Sequence, residues 1–198
     1  MSEKYKMKKI ILASSSPRRK KLLEQLGIPF EIIPSQLEEI LDPQLSPRQQ
    51  VESLALQKAT AVAQNIIDEA IIIGADTTVL LKNEFIGKPN DKHDAKRMLK
   101  KLSGKAHTVI TGFVLLDKQS GRTIVKSVET TVWFKKLTPD EIHNYLETGE
   151  PLDKAGAYGI NELGSLLIEK IEGDYTNVVG LPLFTFAKEL KKLGVTIL

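Results

Sequence analysis

The sequence predicts an α/β fold. Three observations indicate it: short runs of apolar, β-branched residues alternate with longer segments of helical periodicity, a Ser-Pro pair precedes two of those helical segments, and an aspartate directly follows the most apolar run. With 198 residues, 41% of them hydrophobic, the chain is long enough to bury one substantial core. We therefore expect a single domain over residues 1–198.

The first strand and the first helix are predicted within residues 10–27. Ile10–Leu12 has the composition of a short buried strand. Ser16 suits the N-cap of a helix, and Pro17 suits its first position, where the missing N–H costs nothing. The helix is expected to end at Gly27.

The start of this helix is a candidate anion-binding site. Its first N–H groups and the positive end of its dipole face the loop that contains Ser14. Arg18 and Arg19 add fixed charge and forked donors that suit a phosphate group. However, an ordinary capped helix with solvated arginines has the same spacing, and the loop lacks the glycines of a P-loop. The spacing alone leaves both interpretations open.

The next three elements lead to a carboxylate. Phe30–Ile33 predicts a second short strand, and Ser46-Pro47 opens a long amphipathic helix that runs to about Asp68. Ala70–Ala75 is typical of a buried central strand. We expect that strand to end at Asp76, which would place the acid at the mouth of the sheet, where α/β proteins bind ligands.

The second half of the chain continues the alternation of strands and helices. Its predicted elements are a helix from about Asp91 to Leu102, strands at 108–116 and 123–134 around a hairpin turn at 117–121, a capping box at Thr138–Glu141 that opens a helix closing near Gly149, a strand at Ser165–Ile171 and a last helix from about Pro182 to Gly194. The segment Asn177–Pro182 is expected to be mainly structural, as a connection from strand to helix.

Composition and charge narrow the possible partners. The net charge of +3, without a clustered basic stripe, does not favour nucleic acid. The absence of cysteine excludes disulfides, a thiolate nucleophile and a thiolate zinc site. The sequence has no apolar signal-peptide core and no apolar run that could span a bilayer. We therefore expect no nucleic-acid partner, no membrane partner and a cytoplasmic location, and we interpret Lys4–Lys9 as a solvated terminus.

Several familiar catalytic motifs are missing from the sequence. The three histidines lack metal-ligand spacing, and the patterns G-x-x-x-x-G-K-[ST], G-x-G-x-x-G and G-x-S-x-G do not occur. Kinase-like, dehydrogenase and hydrolase-elbow interpretations therefore lose support. Carboxylates in predicted loops remain, and such hard oxygen ligands suit Mg²⁺ or Mn²⁺, which often bind through one or two protein carboxylates plus substrate phosphates. The candidates are Glu38, Glu39, Asp76 and Asp153.

Eight short motifs follow one another along the chain. They are Leu12-Ala-Ser-Ser-Ser-Pro-Arg-Arg19, Gln57-Lys-Ala59, Gly74-Ala-Asp-Thr77, Gly87-Lys-Pro89, Leu102-Ser-Gly104, Thr148-Gly-Glu-Pro151, Asp153-Lys-Ala-Gly-Ala-Tyr-Gly159 and Asn177-Val-Val-Gly-Leu-Pro182. With these motifs in this order, the chain resembles the Maf-type nucleoside triphosphate pyrophosphatases, enzymes that cleave a nucleotide to its monophosphate and pyrophosphate. The resemblance implies a single two-lobed domain with a central mixed, curved β-sheet flanked by helices, the Maf/ITPase-like fold.

The resemblance also implies an acid and a metal site. Asp76 matches the family's essential acid, described as the proton acceptor for the attacking water and also placed to bind a metal. Glu39 matches an acid that shares this divalent metal, Mg²⁺ or Mn²⁺. The ordinary alternatives are a turn or helix cap for Asp76 and a solvated pair with Glu38 for Glu39.

Basic residues complete the implied site. Lys58 matches a family residue that points into the substrate cleft, although a lone lysine on a helix is usually solvent-facing. Lys88, in a Gly-Lys-Pro turn, matches a phosphate-binding lysine. Ser14, Arg18 and Arg19 belong to the same phosphate cradle.

The implied reaction is metal-assisted attack of water on the α-phosphorus, with pyrophosphate leaving and no covalent enzyme intermediate. Asp76 would remove the proton from the water. Alternatively, Asp76 is only a metal ligand and a second carboxylate is the base. The lysines and arginines would stabilise the charge on the leaving group.

Three positions bear on base selectivity. In the branch that the chain resembles most, which acts on dTTP and UTP, an arginine follows Ser-Pro, a threonine follows the acid and a glutamine follows Tyr-Gly-Ile. Arg18 and Thr77 fit this pattern, but Asn161 stands at the glutamine position and is one methylene shorter. Lys154, in a loop that closes over the nucleotide in the family, is included with the substrate-binding residues. A branch that acts on 7-methyl-GTP is the alternative, and it carries an aromatic residue at the position of Arg18.

The resemblance further implies a homodimer and a small-molecule nucleotide substrate. The candidate substrates include modified pyrimidine nucleotides. A second class of function stays open, namely a nucleotide-binding regulator of cell division without significant hydrolysis. Metal-dependent release of pyrophosphate separates the two classes.

Overall fold

A computed structural model describes residues 8–82 and 84–198. Within these residues the strands are β1 (Lys9–Leu12), β2 (Glu31–Ile32), β3 (Ala70–Leu81), β4 (Glu84–Ile86), β5 (Ala106–Asp117), β6 (Thr123–Phe134) and β7 (Ile168–Glu172). The α-helices are α1 (Pro17–Glu24), α2 (Pro47–Gln64), α3 (Lys92–Leu102), α4 (Pro139–Glu147), α5 (Tyr175–Val179) and α6 (Leu183–Lys191). Short 3-10 helices occupy Glu150–Asp153, Ala155–Ala157 and Leu163–Leu167.

The strands form one mixed sheet in the order β2-β1-β3-β5-β6-β7, with β4 paired to β3. Strand β1 runs parallel to β2 and to β3, with Ile10 opposite Ile71. The pairs β3–β4 and β6–β7 are antiparallel. The predicted α/β class with a mixed sheet and flanking helices is confirmed.

The helix starts follow the predicted capping signals. The Ser16 hydroxyl accepts a hydrogen bond from the backbone N–H of Arg19 at the start of α1. Ser46 and Gln49 form a capping box at α2, and Thr138 and Glu141 form another at α4. Because these bonds close within four residues, the sequence alone was enough to predict them.

Helix α2 ends earlier than predicted, at Gln64 rather than near Asp68. Asn65 forms its C-cap, and the residues up to Glu69 make the connection to β3. The Nζ of Lys118 donates to the carbonyls of Ala63 and Ile66, which satisfies acceptors at the helix end. The helix therefore stops where a side chain from another element caps it.

The prediction that the central strand ends at Asp76 is wrong. Strand β3 continues through Asp76 to Leu81, so the acid lies inside a strand of 12 residues. The continuation is stabilised by pairing with β4, in which Val79 lies opposite Ile86. Thr77, Thr78 and Val79 are β-branched and suit an extended backbone.

Residue contacts divide the chain into two compact units. The first contains the described residues up to Asp76, together with Gly112–Ser127 and Gly180–Leu198. Its core joins α2 to β1 and β3 through buried apolar side chains, among them Ile11, Ala55, Ala59, Ile72 and Val114. The segment Lys4–Lys9, predicted to be a solvated terminus, lies partly outside the described residues. Within them, Lys8 forms an ion pair with Asp117, and Lys9 forms ion pairs with Glu31 and Asp68.

The second unit contains Thr77–Thr111 and Val128–Val179. Its core packs α3 and α4 against the strands through buried side chains that include Val79, Leu99, Phe134, Ile142 and Leu146. Strand β7 begins at Ile168 rather than Ser165, because residues 163–167 form a 3-10 helix. Strand β4 and helix α5 were not predicted.

Among the described residues, none of the helices combines the length and the apolarity that a bilayer crossing needs.

Candidate functional site

The ammonium of Lys58 lies between two carboxylates in the first unit. Its Nζ is 2.6 Å from Oδ1 of Asp76 and 2.9 Å from Oε1 of Glu39. The side chains of Lys58 and Asp76 are only 14% and 16% exposed. The structure thus brings together three predicted site residues, and the solvent-facing alternative for Lys58 and the capping alternative for Asp76 are wrong.

The packing of α2 on β3 explains this geometry. Side chains alternate along a strand, so Gly74 and Asp76 lie on the same face of β3. A Cβ at Gly74 would lie 2.0 Å from the carbonyl oxygen of Ala55 and 3.0 Å from the Cβ of Ala59, which means that only glycine permits the close approach of α2. Lys58 directly precedes Ala59 on this helix and therefore reaches Asp76.

Gln57 holds the segment that carries Glu39. Its carboxamide accepts from the N–H of Ile40 at 3.2 Å and donates to the carbonyl of Ile40 at 3.0 Å. Two turns earlier on α2, Gln50 accepts from the N–H of Asp42 at 3.1 Å. Sequence reasoning did not assign Gln57 a role, although it adjoins Lys58 in one of the eight motifs.

The predicted anion site is built around the side chain of Arg19. Its Nη1 donates to the hydroxyl of Ser14 at 3.3 Å, and its Nε donates to the carbonyl of Gly180 at 3.0 Å. Ser14 also accepts from the N–H of Ser16 at 3.2 Å. Burial lowers the pKa of Arg19, while the charge of Asp76 opposes that shift. The guanidinium stays protonated, since an arginine loses its proton only at very high pH.

Arg18 lies in the first turn of α1 and is half-buried. Its charge lowers the pKa of Arg19, and the charge of Glu39 raises it. Arg18, Arg19, Asp76 and Glu39 therefore lie close enough to interact electrostatically. This group combines two arginines and a buried serine, which suit a phosphate, with two acids, which suit a divalent counter-ion.

Thr77, the first residue of the second unit, belongs to a buried hydrogen-bond network. Its hydroxyl is 2.9 Å from the hydroxyl of Thr111. Thr111 donates its proton to the carbonyl of Asn177 at 2.8 Å, so Thr77 is the donor to Thr111. The carboxamide of Asn177, which is fully buried, accepts from the N–H of Thr111 and donates to Val109 and Thr130. These contacts agree with the expected structural role of Asn177.

Lys154 is turned into its own loop. Its side chain is 7% exposed, and Nζ lies 2.8 Å from the carbonyl of Glu150, 2.8 Å from Oδ1 of Asp153 and 3.3 Å from Oε2 of Glu162. The ammonium thus donates two hydrogen bonds within the loop and forms an ion pair with Glu162. Asn161 is exposed, and its Nδ2 is 3.5 Å from Oε1 of Glu162.

Glu150 and Tyr145 fix the backbone of the same loop, and sequence reasoning missed both. Glu150 accepts from the hydroxyl of Tyr145 at 2.7 Å and from the N–H groups of Leu163 and Gly164 at 3.0 Å. Burial raises the pKa of Tyr145, so the phenol stays protonated and keeps donating. The one available signal was the position of Glu150 inside the Thr-Gly-Glu-Pro motif.

Lys88 is exposed in the turn after β4. The carbonyl of the preceding Gly87 accepts from the N–H of Gly156 at 3.0 Å, which ties the turn to the loop that contains Lys154. In the second unit, Lys88, Lys154 and Asn161 are therefore carried by two connected loops.

Glu39 and Asp76 fit a divalent ion of the predicted kind. Both place a carboxylate oxygen within 3 Å of one cationic nitrogen, that of Lys58. Mg²⁺ commonly binds through one or two carboxylates plus substrate phosphates, which is the number available here. No group of three or more His, Cys, Asp or Glu that could hold a metal occurs in residues 8–82 and 84–198, so an all-protein metal cage is absent from that part of the chain.

Comparison with known proteins extends over nearly the whole chain. Residues 9–193 match the profile of the family described as Maf-like protein. A protein named dTTP/UTP pyrophosphatase from Alkaliphilus metalliredigens (strain QYMF) is 50% identical over 94% of this chain and 96% of its own length. One of the same name from Bacillus cereus (strain G9842) is 49% identical over 96% and 98%. A HAM1 protein structure from Coxiella burnetii aligns with 65% of this chain and 73% of its own at 12% identity and a TM-score of 0.44.

Proposed function

The chain belongs to the family of Maf-like proteins, and we propose that it is a nucleoside triphosphate pyrophosphatase that hydrolyses dTTP and UTP to the monophosphate and pyrophosphate. Relatives that are about half identical along almost the full chain carry the name of that activity. The structural observation that carries the proposal is the cluster of Glu39, Lys58 and Asp76 beside Arg19, in which Lys58 and Asp76 are largely buried. The cations can bind phosphate oxygens of a triphosphate, and the acids can hold the divalent ion that accompanies it.

In the proposed reaction Asp76 accepts the proton of the attacking water. Glu39 and Asp76 would hold a divalent ion, Mg²⁺ or Mn²⁺, which when bound supplies positive charge to the phosphate oxygens. Lys58 and Arg19 donate hydrogen bonds to phosphate, and charge-assisted donors of this kind stabilise charge that develops on the leaving pyrophosphate.

The other predicted residues have supporting roles in the proposal. Ser14 and Arg18 contribute to the phosphate cradle at α1, and Lys88 supplies an exposed cation from its turn. Thr77 and Asn161 contact the base and favour uracil and thymine. Lys154 acts through the loop that it pins, since its own donors are engaged there.

The homodimer and the cytoplasmic location stay predictions. Size-exclusion chromatography with light scattering measures the first, and fractionation of cells that produce the protein measures the second.

The proposal is tested by pyrophosphate release. The substrate panel contains dTTP, UTP, CTP, GTP, ATP, 7-methyl-GTP and modified pyrimidine triphosphates, each with Mg²⁺ or Mn²⁺. We expect turnover of dTTP and UTP, and a loss of roughly 10²- to 10⁴-fold in Asp76→Asn, the range that a general base supplies. Asp68→Asn is a matched control, because Asp68 forms an exposed ion pair with Lys9 outside the cluster.

Each result has a defined meaning. An Asp76→Asn variant within a few-fold of the wild type would remove Asp76 from the base role. Turnover centred on another base would keep the enzyme and refute the dTTP/UTP assignment. If no nucleotide releases pyrophosphate with either metal, the proposal fails and the alternative of a nucleotide-binding regulator of cell division takes its place.

A further inference from the structure

One ammonium bridges the two acids that would hold a divalent ion. The oxygens of Glu39 and Asp76 that face Lys58 are 2.9 and 2.6 Å from its Nζ. A magnesium ion bound by the same oxygens would lie about 2.1 Å from each of them. The nitrogen therefore occupies nearly the volume that the ion would take, and the two cations cannot be present together.

Lys58 is the cation in this cluster that can move away. Arg19 is anchored to Ser14 and to the carbonyl of Gly180. The ammonium of Lys58, by contrast, sits at the end of a flexible four-carbon stem on α2. Because its side chain is only 14% exposed, leaving the carboxylates without a new acceptor would strand a desolvated charge.

A phosphate group can act as that new acceptor. Under the proposed function, the nucleotide brings phosphate oxygens to the cluster, and Lys58 can turn from the two carboxylates to them. The carboxylate oxygens then become available to a divalent ion. The phosphate thus gives the displaced ammonium a new acceptor, and the divalent ion neutralises the carboxylates that the ammonium has left.

We propose that Lys58 is a resident cation that keeps Glu39 and Asp76 neutralised in the free protein, that it excludes a divalent ion from them, and that a nucleotide phosphate releases this exclusion. Binding of the ion and binding of the nucleotide are therefore positively coupled, and by linkage the coupling is the same in both directions. This inference rests on the proposed function for the identity of the nucleotide. The exclusion itself concerns the free protein.

The experiment is a titration with Mn²⁺ followed by the electron paramagnetic resonance signal of the free ion. Wild type, Lys58→Met and Lys58→Arg are compared without nucleotide and with a non-hydrolysable α,β-imido analogue of dTTP. Lys92→Met is the matched control, because Lys92 forms an ion pair of 3.2 Å with Glu147 on exposed helix surfaces. Thermal unfolding verifies that every variant is folded.

Without nucleotide, we expect Lys58→Met to bind Mn²⁺ roughly tenfold or more tightly than the wild type, the equivalent of about 1.4 kcal/mol. Lys58→Arg keeps a cation and should stay weak, as should Lys92→Met. The phosphates of the analogue also ligate the ion, so the analogue should tighten Mn²⁺ binding in both proteins, but by a larger factor in the wild type than in Lys58→Met. Adding Glu39→Gln to Lys58→Met should remove the gain, since it deletes a ligand.

Equal Mn²⁺ affinity of folded wild type and Lys58→Met without nucleotide would overturn the exclusion. An equal effect of the analogue on both proteins would overturn the coupling. Neither measurement requires turnover, so a gain in Mn²⁺ affinity in Lys58→Met supports the exclusion even if dTTP is not hydrolysed. Absence of pyrophosphate release would instead count against the proposed function.

Discussion

Mild acid should destabilise this protein through one buried histidine. His107 lies on β5 with 3% of its surface exposed, and its Nε2 is 2.7 Å from the hydroxyl of Tyr158. Its ring packs edge-on against Phe134 and Tyr158. Among the described residues, Nδ1 has no hydrogen-bond partner. A second proton on this ring would therefore be buried among aromatic side chains without an acceptor.

The size of the effect follows from the pKa. Burial lowers the pKa of His107 to about 4, against about 6.5 in an unfolded chain. As the pH falls below about 6.5, the unfolded chain takes up the proton first, so the free energy of unfolding decreases. Linkage gives a loss of about 2 kcal/mol between about pH 7.5 and about pH 5, and roughly 3 kcal/mol once the pH reaches about 4.

Carboxylates affect a lower pH window. Burial raises the pKa of Asp117, but hydrogen bonds from Lys8 and Ser120 outweigh it, and the net shift is downward. A carboxyl of this kind contributes stability that is lost only as the pH falls below about 4. The interval between about pH 6.5 and about pH 5 therefore isolates His107 from Asp117.

The assay is urea unfolding at a series of pH values, with the wild type and His107→Gln compared. Glutamine keeps a polar group for Tyr158 but does not titrate, so the variant should lose much of the pH dependence in this interval whatever its absolute stability. His93 and His143 are exposed and stay unchanged in both proteins. If His107→Gln loses stability toward acid as steeply as the wild type, the assignment to His107 is refuted.

Three further variants test the packing and the base selectivity. Gly112→Ala should lower the free energy of unfolding in urea by roughly 3 kcal/mol or more, because the new Cβ would lie 2.6 Å from the backbone of Val51. Gly87→Ala is the control: its Cβ meets no atom within 4 Å, so the free energy of unfolding should change little. Asn161→Gln should raise the preference for dTTP and UTP over CTP by roughly fivefold in kcat/KM, the value of one neutral hydrogen bond of about 1 kcal/mol; an unchanged profile would show that this position does not set selectivity.

Local signals predicted the helix starts, and longer-range pairing caused the errors. The N-caps at Ser16, Ser46 and Thr138 depend on residues at most three positions away. Strand β4 has three residues and helix α5 has five, which is too short for periodicity to detect. The extent of β3 past Asp76 depends on its pairing with β4, which a one-dimensional reading of apolar residues does not contain.

The candidate site shows the same division. The motifs identified Glu39, Lys58 and Asp76, but their meeting depends on the approach of α2 to β3 at Gly74, across 18 positions between Lys58 and Asp76. Tyr145 and Glu150 were missed because their partners are mostly backbone groups of one loop. No side-chain pattern in the sequence records such bonds.

The charges of the Lys58 cluster are difficult to explain by stability. Bringing Lys58 and Asp76 to about 15% exposure carries a desolvation cost that offsets much of their attraction, and an apolar pair of similar volume would serve the packing of α2 on β3 as well or better. Glu39 remains 49% exposed, so its contact with Lys58 is worth little in solvent. The proposed function explains these charges directly. Glu39 and Asp76 can bind a divalent ion in place of Lys58, and Lys58 can then bind a phosphate group. Lys58→Met alone leaves Asp76 without its cation and should lower the free energy of unfolding, and Mn²⁺ bound by the two acids should restore part of that stability.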